Sequence, residues 1–191
     1  AEQQAREFAD QEGGVYISPY NHRDVIAAAG TIGLEIVEAM PEFDVAVVPL
    51  GGGGLASGMG LAIKAAAPKA TIVGVEVEAS SPFTLSLEAG RITRITPRPS
   101  IADGLVGNLE PGSMTFQLVK QVVDYVVTVS EDELTRAMKG LATEERLIVE
   151  GAGAAAVAAI MAGKASGPGQ QVVAMVTGAN VDLPKWLYTI S

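Results

Sequence analysis

The sequence predicts an α/β fold, a doubly wound, mostly parallel sheet with helices on both faces. Three observations carry that expectation. Short β-rich apolar runs alternate with Ala- and Leu-rich stretches along the chain, several of those stretches open on helix-capping residues, and one apolar run passes directly into four consecutive glycines and a helix-forming segment.

The expected strands are Val15–Ser18, Val45–Val48, Thr71–Val75, Tyr125–Val129 and Val172–Val176. Their β-branched side chains suit a pleated, buried surface. Helices are expected at about 23–40, 54–66, 82–89, 113–122, 131–147 and 152–162. Ser130, followed by Glu131, Asp132 and Glu133, places a capping hydroxyl and acidic groups at the positive end of the next helix. Asn21 is read as the cap of the helix entered at His22. The stretch from Gly90 to Gly104 holds Pro97 and Pro99 and reads as an irregular connection. Leu147 to Gly163 is the most apolar stretch, but it contains Glu150 and falls short of the roughly 20 apolar residues of a membrane span. It reads as a buried helix.

With 191 residues, 48% hydrophobic and 18% charged, the chain can bury a core of its own. The formal charge of −9 disfavours nucleic acid, whose backbone is held by Lys and Arg. A small molecule is the better expectation for a partner. The chain has no cysteine and a single histidine, His22, which excludes a disulfide scaffold, a thiolate metal site and a histidine cluster. Its start, Ala1 to Gly14, is polar and acidic, unlike a signal peptide, and reads as internal to a longer pattern.

Val47–Leu50, Gly51–Gly54 and Leu55–Lys64 form the most informative segment: strand, glycines, helix. Consecutive glycines are entropically costly to order and are kept where backbone must approach another group closely or adopt positive φ. Ahead of a helix, their amides make an anion cradle. Gly51, Gly53 and Ala56 also satisfy a dinucleotide-binding fingerprint, with Glu76 placed where a ribose-binding acid would stand. On this segment alone both readings stay open.

The rest of the chain separates them. Pro19 to Ile36 with its Gly30-Thr-Ile32 core, Ile101–Gly104, Val127–Glu133, Leu147–Ala156 and Val176–Asp182 occur in the order seen in fold-type II pyridoxal-phosphate (PLP) enzymes. From about Val15 to Asp182 the chain resembles the threonine dehydratase and serine racemase family. The resemblance implies that the chain is the larger, cofactor-phosphate-binding part of such an enzyme. Gly51, Gly52, Gly53, Gly54 and the amide of Leu55 would wrap the cofactor phosphate, and Thr177 would place its hydroxyl against the pyridine nitrogen. In the family's Gly-Gly-Asn-x-Asp pattern this chain has Ala179 for the second glycine, ahead of Asn180 and Asp182. Glu150 matches an acid near the cofactor, or else faces the amides of the helix that follows it. Gly104 matches a glycine beside the cofactor ring, or else is a plain turn residue. Some relatives bind a divalent cation through an acid at the position of Glu76, and Ser80 could lend a carbonyl, but Pro82 stands where the second acid would be, so no metal is assigned and Glu76 stays a candidate ligand beside a structural reading. Tyr20 is expected at the mouth of the pocket.

The family's catalytic lysine and substrate-carboxylate loop lie N-terminal of these motifs, and neither has a counterpart here. None of Lys64, Lys69, Lys120, Lys139, Lys164 and Lys185 stands in that setting, so the chain reads as a truncated single α/β domain, inactive alone. It ends nine residues after Asp182, which implies no C-terminal regulatory domain. The intact protein is expected to be a cytoplasmic, homo-oligomeric ammonia-lyase acting on a small hydroxy amino acid, with an amino-acid racemase or a nucleotide-binding module as alternatives.

Overall fold

The computed structural model describes residues 2–191. Helices α1 (Glu2–Glu12) and α2 (Arg23–Ala39) lead into strand β1 (Val45–Pro49). Then follow α3 (Gly54–Ala66), β2 (Thr71–Val77), α4 (Pro82–Ala89), α5 (Met114–Val122), β3 (Tyr125–Val129), α6 (Glu131–Thr143), α7 (Gly151–Met161), β4 (Val172–Ala174) and α8 (Leu183–Ile190). The sheet order is β3-β2-β1-β4 and every pairing is parallel, with Val47 in register with Val73 on one side and Ala174 on the other. This is the doubly wound arrangement expected from the sequence.

Strand alternation sorts the core into two layers. Val45, Val47, Val73, Val75 and Val77 face one side, where they meet α6, α7 and Trp186 of α8. Ala46, Val48, Leu50 and Ile72 face the other, against α3, α4 and α5, with Ile32 and Ile36 of α2 packed behind. The central strand β1 is buried along its whole length. The α2–α3 packing explains part of the glycine content: a side chain at Gly58 would collide with Ile26 O, and a Cβ at Gly33 would lie 2.6 Å from Met59 O. The two helices approach backbone to backbone.

Several boundaries differ from the sequence reading. Val15–Ser18 belongs to no helix or strand and joins no ladder, and Val15 and Ile17 are exposed. β1 has both edges taken by β2 and β4, and Ser18 instead turns its hydroxyl to Glu110 at 3.3 Å. β4 spans three residues rather than five, although the Met175 N–H still reaches Val47 O at 2.9 Å. The helix expected to run to residue 147 stops at Thr143, where the chain turns through Arg146 at positive φ. Asn21 does not cap α2: His22 does, accepting from the Asp24 N–H at 3.3 Å. The capping box at Ser130 forms as its sequence indicates, with Ser130 and Glu133 bonding each other's backbone N–H. Helices α1 and α8 were not expected. α8 carries signals that could have revealed it, since Asp182 accepts from the Lys185 N–H and Pro184 stands in its first turn.

Candidate cofactor-binding site

The chain runs outward from β1 to β2 and β3, then crosses back to place β4 on the far side of β1. At such a switch point the loops leaving the carboxyl ends of the two strands diverge and open a crevice. Here those loops are Gly51–Gly53 after β1 and residues 175–182 after β4. Continuing the Val47–Ala174 register brings Leu50 and Thr177 to the same level at the sheet's edge. Residues far apart in sequence thus meet at one end of the sheet.

The glycine loop is tightly enclosed. A Cβ on Gly51 would lie 3.1 Å from Gly104 O, one on Gly54 2.8 Å from Tyr20 O, and one on Gly53 2.6 Å from the Phe83 ring. A side chain at Gly52 would collide with the Tyr20 ring, and Gly53 holds φ of +86°. Each demand selects glycine. Among the described residues, no acceptor is present for the N–H groups from Gly51 to Ala56, whereas the neighbouring Leu50 and Ser57 amides are paired with Val75 O and Gly53 O. Buried amides without partners are rare in folded proteins. A row of them at a helix start suits an anion, which would gain both the donors and the helix dipole. A cavity of about 230 Å³ opens beside Gly51 and Gly52, bounded by Tyr20, Pro82, Gly104 and Asn108.

Supporting contacts hold this loop from both sides. Phe83 and Thr115, neither singled out from the sequence, are fully buried against Gly53, and the Thr115 hydroxyl donates to Gly52 O at 2.8 Å. A threonine near a helix start reads as an ordinary surface residue, so nothing local marks it. On the outer side, Asn21 bridges Glu110 at 2.6 Å and the Met114 N–H at 3.0 Å. Burial alone would raise the Glu110 carboxyl, but hydrogen bonds from Asn21 and Arg6 outweigh it and hold the group below the usual range. Tyr20, expected at the pocket mouth, lies on the glycine loop itself, with its hydroxyl 3.3 Å from a Glu2 oxygen.

The loop after β4 is joined to the same crevice. Thr177 is half-buried, its N–H directed at Gly153 O, and a side chain at Gly153 would collide with Thr177 O. Glu150 makes no side-chain bond to the amides of α7; its carboxylate instead accepts from the Asn180 N–H at 3.1 Å and packs on Gly178. Gly104 lies between the two loops, its Cβ position 3.8 Å from Glu150 Oε1. Gly51, Gly104, Glu150 and Gly178 therefore form a continuous wall.

Glu76 has another role. It is fully buried, and its carboxylate accepts from the Phe83 N–H at 2.7 Å, the Thr84 N–H at 2.8 Å and the Thr84 hydroxyl at 2.7 Å. Burial raises its pKa and these bonds partly offset the shift. With both oxygens committed to the start of α4, it cannot serve as the ribose ligand of a dinucleotide site, and that alternative is corrected. Glu76 caps a helix.

Over residues 1–178 the sequence matches the profile described as "Pyridoxal-phosphate dependent enzyme". The chain belongs to this PLP-dependent family. It is 41% identical to the L-threonine ammonia-lyase of Thermotoga maritima over 179 residues, covering 94% of this chain and 44% of that protein. The chain therefore spans about half the length of such a relative. Among solved structures, threonine deaminase isoform 2 from Solanum lycopersicum superposes with a TM-score of 0.89 at 32% identity, covering 99% of this chain and 55% of that one. Maize serine racemase gives a TM-score of 0.89 at 32% identity, covering 99% and 58%. Pyridoxal phosphate carries an anion, a phosphate ester on an aromatic ring. No described helix is long and apolar enough to cross a membrane.

Proposed function

We propose that this chain forms the phosphate-binding half of a PLP-dependent ammonia-lyase that eliminates water from a hydroxy amino acid, threonine or serine; the released enamine takes water back as it hydrolyses to a 2-oxo acid and ammonia. The observation that carries this reading is the run of amides from Gly51 to Ala56 with no acceptor, set in a loop that only glycine can occupy. The similarity to an L-threonine ammonia-lyase supports the reaction class.

Bound PLP supplies an electron-withdrawing ring that stabilises negative charge at the substrate's α-carbon. This chain's residues do the holding. The amides of Gly51–Gly54 and Leu55 cradle the phosphate with the α3 dipole behind them. Thr177, three residues past the carboxyl end of β4, offers the pyridine nitrogen a hydroxyl rather than a carboxylate, which leaves the ring less electron-withdrawing and suits elimination at the β-carbon. Glu150 fixes the 178–180 loop through the Asn180 N–H and so keeps Thr177 in place. The protein acts in this reading as a cytoplasmic homo-oligomer.

None of the chain's own lysines lines the cavity beside the loop. Lys64 is bonded to Asp124, Lys164 to Glu133 and Lys139 to Ser191 O. The chain by itself is therefore proposed to bind the cofactor without turning over substrate. Titration with inorganic phosphate and with PLP, followed by amide NMR, is expected to move Gly52–Leu55 most. Incubation with PLP and L-threonine or L-serine is expected to yield no 2-oxo acid and no D-amino acid. Shifts confined to other segments would overturn the cradle; turnover by this chain would overturn the assignment of the missing lysine.

A further inference from the structure

We propose that Ser113 and Thr115 form a hydroxyl relay whose task is to aim the Gly53 N–H into the anion cradle. The inference rests on the phosphate reading above and adds positioning residues to it. It starts from a buried pair: the Ser113 and Thr115 hydroxyl oxygens are 2.7 Å apart, and Thr115 Oγ1 is 2.8 Å from Gly52 O.

The proton positions follow from valence. Gly52 O can only accept, so the single hydroxyl proton of Thr115 lies on that bond. Ser113 must then donate to Thr115 Oγ1. The order is Ser113 to Thr115 to Gly52 O, and in such a chain each bond polarises the next.

What the relay does follows from the peptide group. There is no cis peptide in the described chain, so the Gly52 C=O and the Gly53 N–H point in opposite directions. Capturing the carbonyl on the α5 side turns the amide away from α5. That amide is one of the run with no acceptor. Without the hydroxyl, a peptide flanked by glycines could rotate at low cost and present its carbonyl to the anion instead.

Ser113 is free for this task because it does no capping. It occupies the N-cap position of α5 yet makes no side-chain cap bond, and the Met114 N–H is satisfied by Asn21 Oδ1 at 3.0 Å. Thr115 stands in the first turn, with no preceding helical carbonyl for its hydroxyl. Both residues are buried, so their hydroxyls are shielded from bulk solvent.

The test compares the wild-type chain with Thr115→Val, Thr115→Ser and Ser113→Ala. In ligand-free protein, Thr115→Val is expected to shift the Gly52 carbonyl ¹³C and the Gly53 amide ¹⁵N, while Phe116 and Val119 stay put; Thr115→Ser is expected to restore both. In inorganic phosphate titrations, Thr115→Val is expected to weaken binding about tenfold, and Ser113→Ala two- to threefold, roughly what loss of one oriented hydrogen bond gives. Thr115→Ser should bind as the wild type does. A Thr115→Val protein with wild-type Gly52 and Gly53 shifts, or with wild-type phosphate affinity, overturns the relay alone. If Thr115→Val does not fold, weak binding by Thr115→Ser or an unchanged affinity in Ser113→Ala overturns it. A wild-type chain whose Gly52–Leu55 amides ignore phosphate overturns the cradle and the relay with it.

Discussion

Gly53 concentrates two demands at one residue: φ of +86° and contact with Phe83, whose ring would stand 2.6 Å from any Cβ. An L-residue in the left-handed region costs about 1–2 kcal/mol, and overpacking a core adds about 1–3 kcal/mol. Gly53→Ala is therefore expected to lose about 2–5 kcal/mol in urea unfolding and to lose measurable phosphate binding. Gly90, also at positive φ but with nothing within 4 Å of its Cβ position, is the natural comparison. An alanine there should cost only the backbone part and leave phosphate binding intact. The difference between the two variants isolates the packing contribution. Glycines that look alike in the sequence are thereby separated by what surrounds them.

At the scale of elements, α6 shows how a local motif acquires a distant partner. The Ser130–Glu133 capping box is local, with the Ser130 N–H donating to Glu133 at 2.8 Å, but Lys164 from beyond α7 reaches the same carboxylate at 2.7 Å. Burial alone would raise the Glu133 carboxyl; Lys164 and the Ser130 backbone outweigh it and hold the group below its ordinary value. A carboxyl with a depressed folded pKa contributes stability above its unfolded pKa and loses that contribution as pH falls through the folded value. Glu133→Gln is thus expected to cost about 0.5–1 kcal/mol at neutral pH. Its urea midpoint should then converge on that of the wild type in acid, below the usual carboxylate range. A gap that persists undiminished there would show that the charge is not the source of the effect.

At the scale of the whole molecule, the far layer of the core is closed by α8. Trp186 is buried among α6 and α7 residues and donates from Nε1 to Val149 O at 2.8 Å, just ahead of Glu150 and the crevice wall. Trp186→Phe is expected to cost about 1 kcal/mol or somewhat more, because it leaves a buried carbonyl without its donor. Trp186→Ala should cost about 3–5 kcal/mol by opening a cavity. Because Trp186 is the chain's single tryptophan, its fluorescence reports this layer directly. Native emission should be blue-shifted and should move to the red in one transition with the circular dichroism signal. A tryptophan signal that changes well before the helical signal would mean that α8 is only loosely docked.

The sequence by itself determined the class of fold, the four paired strands, the glycine loop and the capping box, because each depends on neighbours within a few residues: alternation, helix-start chemistry, a strand running into glycines. It also contained the order of motifs that marks the family. The tertiary structure decided whatever needed a partner from elsewhere in the chain. Val15–Ser18 has the composition of a strand but finds no free edge of β1 to pair with. Glu76 has the position of a ligand, yet its carboxylate is taken by the start of α4. Asn21 resembles a cap for α2 and instead serves α5. Ser113 and Thr115 carry no local sign of their contact with Gly52 O. The physical reason is common to all of these. A polar group is satisfied by whichever donor or acceptor the fold brings within about 3 Å, and chain separation places no limit on that choice.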